Sequence, residues 1–459
     1  MDKGKNRPLA PAELVARIKK GEIDTVLVVF ADHQGRLVGK RCDGDFYLDV
    51  VLAEGTENCN YLIATDMDNN AVPGYRFANY DLGYGDMRSV PDQGTIRLCP
   101  WLDRTALVMC DLVDVETAEP IEVSPRQILK AQVARAGAMG FTPMLGAEIE
   151  FFLFYDTYQE ANEKGYKGLR NHSPFLEDYA ILQTTKDEYI IGQVRRQLKA
   201  AGLPVETSKG EAGKGQHELN MTYMEAVAMA DANAFYKNAA KEIAALSGRS
   251  ISFMAKYDMD DTGSSYHIHS SLWDKQGRKS KMAGNRAHHM SDTFRWYLGG
   301  LIATAREFSL LYAPTINSYK RFQPGSWAPT AVGWGIDNRT LGFRVVGHGQ
   351  GMRVECRVPG ADANGYHAFA GQLAGGLYGI ANRIDPGEPH LANGYEAKDL
   401  PRIPWNIVDA IELWRNSSIA RECFGDEVHH HILNAAEQEW MAFNRHVSDW
   451  ELRRYFERI

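Results

Sequence analysis

Three stretches of this chain place polar side chains at alternating positions among apolar ones, although they lie far apart in the sequence. In an extended strand, side chains at positions i and i+2 point to the same face of the sheet. Each stretch therefore presents polar groups to one face, while Ile149, Ile268 and Val354 point to the other. The polar residues concerned are Glu148 and Glu150, His267 and His269, and Arg353, Glu355 and Arg357.

Carboxylates gathered on one face of a buried sheet repel one another unless cations lie between them. A fourth stretch adds Glu211 and Glu218 around a glycine-rich turn. The flanking segments 151–154 and 253–255 are apolar, which indicates that the polar groups point inward, where charges need partners or metals. Oxygen ligands with one imidazole suit Mg²⁺ or Mn²⁺. Each pattern taken alone is also compatible with a solvated sheet face.

The overall composition is that of a well-packed globular chain. Its 459 residues are enough for two or three domains, and 44% of them are hydrophobic. A net charge of −8 without a Lys/Arg run argues against a nucleic-acid partner. The six cysteines lack Cys-x-x-Cys spacing, and no stretch has the pattern of a signal peptide or a membrane span. We therefore expect a cytoplasmic protein with reduced thiols and no membrane partner.

The hydrophobic periodicity predicts an α+β chain. Strands are expected at 24–31, 36–41, 61–66, 95–99 and 106–112. A helix should begin with Ser124 as N-cap and Pro125 at its first position, and stop at Gly140. Further helices are predicted at 186–201, 224–247, 288–312, 362–383, 405–421 and 427–445, with an exposed excursion at 155–175 and a loop at 384–403. The histidine run 429–431 is expected in a solvated or interface position, because consecutive helical residues point about 100° apart.

These motifs, in this order and over nearly the whole chain, resemble those of the glutamine synthetase superfamily. The segment Val447-Ser-Asp-Trp-Glu-Leu near the C-terminus resembles the branch whose members join glutamate to amines rather than to ammonia. The matching segments are Gly146–Phe151, Gly215–Glu218, Phe253–Lys256, Gly263–His269, Asn317–Arg321, Asn338–Arg339, Arg344, Arg353–Arg357 and Asp362–Asn364.

The resemblance implies a β-grasp-like N-terminal domain at residues 1–117 and a catalytic domain at 118–459, in which helices back a curved antiparallel sheet. Members of the superfamily assemble as two stacked rings, here expected as a dodecamer, with each active site at a subunit boundary. The N-terminal domain of one subunit is then expected to close the site of its neighbour.

The reaction that the resemblance implies is ATP-driven amide formation. The side-chain carboxylate of L-glutamate attacks the γ-phosphate of ATP, and an amine then attacks the resulting γ-glutamyl phosphate. Two or three divalent cations, Mg²⁺ or Mn²⁺, are expected per site, because a carboxylate that attacks a polyanion needs its charge neutralised. By resemblance, the ligands are Glu150, Glu211 and Glu218 for the cation nearer glutamate, and Glu148, His267 and Glu355 for the cation on the ATP phosphates.

Arginines are expected to hold the two anionic substrates. Arg321 and Arg357 match positions that bind the glutamate carboxylates, and the backbone at Gly263 is expected to approach the amino acid. The positions expected to contact ATP are Arg339, Arg344, Arg353, His269 and Tyr223. Catalytic roles fall by resemblance to Arg339, Glu211 and Arg321. The alternatives are a surface salt bridge for Arg344 and a core position for Tyr223.

The sequence departs from the ammonia-using members at two acidic positions. Where they carry Asp-Gly-Ser-Ser in the N-terminal domain, this chain has Cys59-Asn60-Tyr61-Leu62. Their active-site flap carries a glutamate, whereas the matching segment here, Pro324–Pro329, has Trp327 in its place. We therefore expect an amine pocket formed by Trp327, Cys59 and Tyr61, since an aromatic wall favours an organic group on the amine. The alternative is that Trp327 only packs within the flap.

Three functions remain open from the sequence. The favoured hypothesis is a glutamate–amine ligase of amine catabolism that takes an aryl or small branched alkyl amine, because a polyamine would need acidic partners that the pocket lacks. The alternatives are a glutamine synthetase that uses ammonia and a non-catalytic, ring-forming paralogue. The complete ligand set argues against the paralogue, and the two missing carboxylates argue against ammonia. The candidates for the residue that deprotonates the amine are Glu57 and Glu211.

Overall fold

The chain forms two β-sheets with helices packed against them, and the computed structural model describes residues 7–459. The strands of the smaller sheet are β1 (Thr25–Ala31), β2 (Leu37–Asp43), β3 (Thr56–Cys59), β4 (Asp86–Pro91), β5 (Arg97–Leu98) and β6 (Thr105–Asp114). Those of the larger sheet are β7 (Phe141–Phe154), β8 (Val205–Gly210), β9 (Gln216–Met221), β10 (Met224–Glu225), β11 (Ser250–Ser252), β12 (Tyr266–Asp274), β13 (Trp334–Ile336), β14 (Phe343–Val346) and β15 (Arg353–Cys356).

The helices follow the same chain order. They are α1 (Pro11–Lys19), α2 (Gly44–Phe46), α3 (Leu52–Glu54), α4 (Pro125–Ala138), α5 (Tyr158–Glu163), α6 (Ile181–Ala200), α7 (Ala226–Leu246), α8 (Asp292–Thr304), α9 (Ser309–Tyr312), α10 (Gly365–Asn382), α11 (Ile407–Arg415), α12 (Ser418–Asn444) and α13 (Asp449–Tyr455). A π-helical segment, Tyr47–Val51, joins α2 to α3. Within residues 7–459, none of these helices combines the length and the apolar character that a membrane crossing requires.

The smaller sheet is covered on both faces. Its strand order is β2-β1-β6-β4-β3, with β5 also paired to β6, and β1 runs parallel to β6. Along β1, Val26 and Val28 belong to an apolar cluster with residues of α1 and of the π-helical segment, whereas Leu27 and Val29 belong to the core shared with the larger sheet. This burial explains why β1 is a continuous apolar run rather than an alternating one.

The larger sheet leaves one face free for polar side chains. Its order is β13-β14-β15-β12-β7-β9-β8, antiparallel except for the β13–β14 pair, and β10 and β11 also pair with β7. Helices α4 and α7 pack on β7, and α10 packs in turn on α4, α7 and α8. Ile149, Ile268 and Val354 all lie in the resulting core. Their alternate neighbours therefore project from the opposite face.

Most predicted elements are confirmed, and the α+β class with a curved antiparallel sheet is confirmed as well. Helix α4 begins at Pro125, and the Ser124 hydroxyl accepts a hydrogen bond from the Gln127 amide, as expected of an N-cap. The strand predicted at 61–66 is wrong: the strand is β3, and residues 60–63 form a 3₁₀ helix. The predicted helix 405–421 is also wrong in extent, because α11 ends at Arg415 and Ser417 caps a new helix.

His429 and His431 are buried and His430 is partly exposed, so the expectation of a solvated or interface stretch is wrong for two of the three histidines. The Nε2 atom of His429 lies 2.8 Å from the Trp414 carbonyl oxygen, and that of His431 lies 3.0 Å from the Ile63 carbonyl oxygen. The second contact ties α12 to the N-terminal part of the chain. The expected domain boundary at 117/118 falls in the turn after β6 and stays a prediction.

Arg126 links the two sheets electrostatically. Its guanidinium, on the first turn of α4, donates hydrogen bonds to Asp92 at 2.7 Å and Asp111 at 2.6 Å, both in the smaller sheet or directly after it. It also donates to both carboxylate oxygens of Asp231 in α7, at 3.0 and 2.9 Å. The guanidinium is almost fully buried. Removing it would leave three carboxylates without their common cation.

We expect Arg126→Leu to lower the free energy of unfolding by about 3–5 kcal/mol, because buried charges then lose their partner. The control is Arg286→Leu, which breaks an exposed ion pair with Asp292 and should cost no more than about 1 kcal/mol. Urea unfolding followed by circular dichroism measures both. Equal losses in the two variants would contradict a linking role for Arg126.

Candidate active site

The register of four neighbouring strands brings the acidic and histidine side chains together. Strands β9, β7, β12 and β15 lie side by side, so residues opposite one another on the free face have Cβ atoms about 4.5–5.5 Å apart. The opposed pairs are Glu150 and Glu218, Glu148 and His267, and Glu355 and His269. Residues distant in sequence thus form one polar surface, as their alternation predicts.

This surface lines two adjoining cavities. The first has a volume of about 580 Å³, and the second, about 380 Å³, shares Glu148 and Asn220 with it. The predicted site residues in the first cavity are Glu148, Glu150, Glu211, Glu218, Gly263, His267, Trp327, Arg339, Arg344 and Arg357. Those in the second are Glu148, Tyr223, His269 and Arg353. Most residues expected at the metals and glutamate therefore lie in one chamber, and part of the expected ATP set in the other.

Tyr223 lies at the surface of the second cavity. Its side chain is about half exposed and stacks on Trp273, with ring centroids 5.9 Å apart. The alternative of a core tyrosine is therefore wrong. Two stacked rings beside His269 and Arg353 offer a flat apolar surface next to a cationic one, which suits a base attached to phosphates.

The first acidic cluster consists of Glu150, Glu211 and Glu218, whose carboxylate oxygens lie within 4.8 Å of one another. Burial, reinforced by repulsion from Glu211, raises the pKa of Glu150 to about 8. Burial and the charge of Glu148 likewise raise the pKa of Glu218. A divalent cation among these oxygens would offset the repulsion, and three carboxylates form the hard oxygen set that Mg²⁺ and Mn²⁺ favour.

The second cluster differs from the predicted ligand set in one residue. Atoms of Glu148, His269 and Glu355 lie within 4.8 Å of one another. His267 instead places Nε2 3.8 Å from Glu150, and its buried Nδ1 has no hydrogen-bond partner among residues 7–459. Burial, aided by Arg357, lowers the pKa of His267, so its imidazole is neutral and able to bind a cation. Its role as a metal ligand stays a prediction.

Two arginines hold Glu355 in place. Arg344 donates to one carboxylate oxygen at 2.9 Å, and Arg357 donates to the other at 2.5 Å. Arg344 also pairs with the exposed carboxylate of Asp337, but its contact with the solvent-inaccessible Glu355 shows that it is more than a surface salt bridge. Arg357 also donates to the backbone oxygen of Trp327 at 3.3 Å, which connects the flap to the acidic cluster.

Arg321 lies behind the cavity wall. It is 1% exposed and donates to the Val358 carbonyl oxygen at 2.8 Å and to the Ser265 hydroxyl at 2.9 Å. A Cβ atom at Gly263 would lie 2.8 Å from Cγ of Arg321, so only glycine fits there. The guanidinium therefore supports the wall, and its predicted contact with glutamate stays a prediction.

Of the three residues expected in the amine pocket, only Trp327 lies at the cavity within one chain. Its backbone is left-handed, with φ of +63°, and its side chain is 58% exposed. Cys59 and Tyr61 line neither cavity. They lie at the edge of the smaller sheet, where the Tyr61 ring packs edge-on against Tyr84 with centroids 6.1 Å apart.

The residues of the first cavity that the sequence did not identify include Asp178, Tyr179 and Lys209, which carry a charge or an aromatic ring. Lys209 forms an ion pair with Glu211, and its ammonium lies 4.6 Å from the Tyr179 ring centroid. Lys209 and Glu211 are two residues apart, the spacing at which strand side chains share a face, so the sequence could have identified the lysine. Asp178 and Tyr179 lie in an irregular segment whose sequence carries no such periodicity.

Comparison with known proteins agrees with this geometry. Residues 122–455 match the family model of the glutamine synthetase catalytic domain. The chain belongs to the glutamine synthetase family. It is therefore an ATP-dependent carbon–nitrogen ligase of a family that uses divalent metals, and the alternative of a non-catalytic paralogue is not supported.

Similar proteins also agree on the branch. The chain is 48% identical over 452 residues to the gamma-glutamylethanolamide synthetase of Streptomyces coelicolor, covering 98% of this chain and 96% of the relative. It is 35% identical over 445 residues to the glutamate–isopropylamine ligase of a Pseudomonas species, covering 96% and 97%. A solved structure of a GmaS/ADP complex superimposes with a TM-score of 0.85 at 25% identity, covering 97% of this chain and 99% of the other. The predicted glutamate–amine ligase branch is confirmed.

We expect Glu355→Ala to reduce ATP-dependent turnover at least tenfold, because the acidic cluster loses an oxygen ligand while Arg344 and Arg357 lose their shared partner. The control is Glu412→Ala, an exposed glutamate of α11, which should retain wild-type turnover. Phosphate release and Mn²⁺ binding are measured on both. Turnover above a tenth of wild type, a change of under about 1.4 kcal/mol, would remove Glu355 from the metal site.

Proposed function

We propose that this protein joins L-glutamate to a small organic amine through γ-glutamyl phosphate, with ATP and bound Mg²⁺ or Mn²⁺. The observation that carries the proposal is the first cavity, where a cluster of carboxylates faces cationic side chains and an exposed tryptophan stands on the flap. Cations and arginines suit the phosphoryl transfer, and the tryptophan suits an amine with a carbon substituent.

The polar groups define how the two anionic substrates would bind. The ATP phosphates would lie where the cavities meet at Glu148, with the base against Tyr223 in the second cavity. Glutamate would occupy the first cavity, with a carboxylate near Arg357 and its α-carbon near Gly263, while Arg339 would contact the ATP phosphates. Two or three divalent cations held by the two clusters would neutralise charge during the attack. In this arrangement the attacking carboxylate and the γ-phosphate would lie between the clusters.

Aromatic rings favour an organic amine over ammonia. Trp327 and Tyr179 both line the first cavity and are more than half exposed, so they can pack against a small alkyl or aryl group. One similar ligase is named for its γ-glutamylethanolamide product and the other for its isopropylamine substrate. Each of these amines, ethanolamine and isopropylamine, has one nitrogen. We therefore favour aryl or small alkyl monoamines over polyamines.

Deprotonation of the amine needs a base, since alkylamines have a pKa of about 10 and are protonated at neutral pH. Glu211 lines the first cavity, whereas Glu57 does not and lies on β3, within 3.6 Å of Arg88. We favour Glu211 for an amine bound inside one chain. Asp178, half exposed at the cavity rim, is a second carboxylate within this chamber.

In the presence of glutamate, ATP and Mg²⁺, we expect the protein to release phosphate at least tenfold faster with isopropylamine, ethanolamine or aniline than with ammonia or putrescine at equal concentration. The reason is the aromatic wall together with the absence of the two ammonium-binding carboxylates. Product mass spectrometry should show the corresponding γ-glutamyl amide. If ammonia were the best acceptor, the protein would be a glutamine synthetase; preferred use of putrescine would overturn the monoamine assignment.

A substitution of Trp327 tests whether its side chain contacts the amine or only packs within the flap. Trp327→Ala should lower kcat/KM for the preferred amine about tenfold, which corresponds to about 1.4 kcal/mol of lost contact, while the KM for ATP stays within twofold. Trp450→Ala removes another exposed tryptophan, in α13, and should change neither value. An unchanged amine kcat/KM in Trp327→Ala would show that the side chain only packs within the flap.

We also propose that the chain, divided into domains at 1–117 and 118–459, assembles as stacked rings. An exposed apolar patch lies beside the first cavity, and large exposed patches mark interaction surfaces. It comprises Phe175, Leu176, Tyr179, Ile181 and Leu182. Cys59 and Tyr61 line no cavity of their own chain, which fits a role at the site of a neighbour.

Light scattering should therefore detect a dodecamer. Coexpression of Glu355→Ala chains with an equal amount of inactive Tyr61→Arg chains tests the shared site. In a randomly mixed ring, one boundary in four joins the intact catalytic domain of a Tyr61→Arg chain to the intact N-terminal domain of a Glu355→Ala chain, so about a quarter of wild-type activity should return. A fully active monomer, or a mixture no more active than its parents, would contradict the proposal.

A further inference from the structure

A second group of ionisable side chains lies behind the first cavity, on the other face of β9. His217 stands between Gln216 and Glu218 on that strand, so its ring points away from the cavity and toward α6. There it meets Asp187 of α6 and Glu177 of the preceding loop. One ligand-type atom from each of the three residues lies within 4.8 Å of the other two.

The group is closed to solvent. The side chains of Glu177, Asp187 and His217 are each at most 1% exposed. Nε2 of His217 lies 2.7 Å from Asp187 Oδ2 and 3.4 Å from Glu177 Oε2. Asp187 Oδ1 contacts Nδ1 of His172, whose Nε2 lies 3.0 Å from the Tyr189 hydroxyl. Each side chain of the group is therefore held in place by burial or by a polar contact with a neighbouring residue.

The carboxylates of the group have no lysine or arginine partner. Among residues 7–459, Glu177 and Asp187 form ion pairs only with histidines. Neither oxygen of the Glu177 carboxylate has a hydrogen-bond partner in that part of the chain, although the carboxylate points at His217 and Asp187. Burial disfavours an unpaired carboxylate strongly, so either a bound proton or a cation is needed at this point.

We propose that Glu177, Asp187 and His217 bind a structural divalent metal ion of the zinc type, separate from the cations of the first cavity. Two carboxylate oxygens and one imidazole nitrogen are a ligand set that Zn²⁺ accepts in tetrahedral geometry, with water as the fourth ligand. The ion would replace the proton between His217 and Asp187. His172 would then hold the second oxygen of Asp187, as outer hydrogen bonds commonly orient metal-bound carboxylates.

Such an ion would fix the wall of the substrate cavity. The Glu177 amide donates to the Glu211 carbonyl oxygen at 3.2 Å, and the next two residues, Asp178 and Tyr179, line the first cavity. A metal joining this loop to α6 and β9 would hold Tyr179 and Glu211 in position without contacting substrate. The site is thus a positioning device rather than a catalytic one.

The direct test uses the wild-type protein and Zn²⁺ alone. Protein freed of metal with a chelator is loaded with Zn²⁺, passed through gel filtration to remove free ion, and crystallised. Anomalous difference density at the zinc edge should show a peak about 2.0–2.2 Å from atoms of all three residues. Density confined to the first cavity, or a peak at the group only after soaking at crystal concentrations, would overturn the proposal.

Zinc content in solution gives the second readout. After gel filtration, Glu177→Gln should retain one zinc equivalent fewer than wild type, whereas Glu188→Gln, the partly exposed neighbour of Asp187 on α6, should match wild type. Equal zinc in Glu177→Gln and wild type would overturn the proposal and assign a proton to the group. If Glu177→Gln fails to fold, the anomalous density of the wild type decides alone.

Discussion

Repulsion among carboxylates on one face of the larger sheet is the constraint on which the rest of the site depends. Lys209 contacts Glu211, and Arg344 and Arg357 contact Glu355, so part of the charge is neutralised within the chain. Glu150 and Glu218 have no Lys or Arg partner among residues 7–459. Divalent cations bound at this face would stabilise the ionised carboxylates, and cations of this kind allow one anion to attack another.

The surrounding elements convert this charged face into a shaped site. The Arg357 side chain joins the acidic cluster to the backbone of Trp327, so cation binding and flap position share a residue. Arg321 fills the space behind Gly263, so that a side chain at this position would clash with it. Under the proposed function, the aromatic flap would distinguish an organic amine from ammonia by contact area, which would add specificity without adding charge.

The sequence predicted the parts of the structure that follow from periodicity. Alternation along β7, β12 and β15 identified which side chains share a face, but only strand register could bring Glu355 beside His269 rather than His267. Local patterns also missed β4 and misplaced β3, because inward-facing residues of these strands include the polar Thr56, Asn58 and Ser89, which give no hydrophobic alternation. Tyr179 and Glu177 belong to an irregular loop, whose path depends on what it packs against.

The most direct test of the account follows oxygen from glutamate into phosphate. Glutamate labelled with ¹⁸O in its side-chain carboxylate is incubated with the protein, ATP, Mg²⁺ and isopropylamine, and the products are analysed by mass spectrometry. Attack of that carboxylate on the γ-phosphate predicts one ¹⁸O atom in each phosphate released, together with γ-glutamyl isopropylamide. Unlabelled phosphate would mean that water attacks ATP, and it would contradict the proposed ligation through γ-glutamyl phosphate.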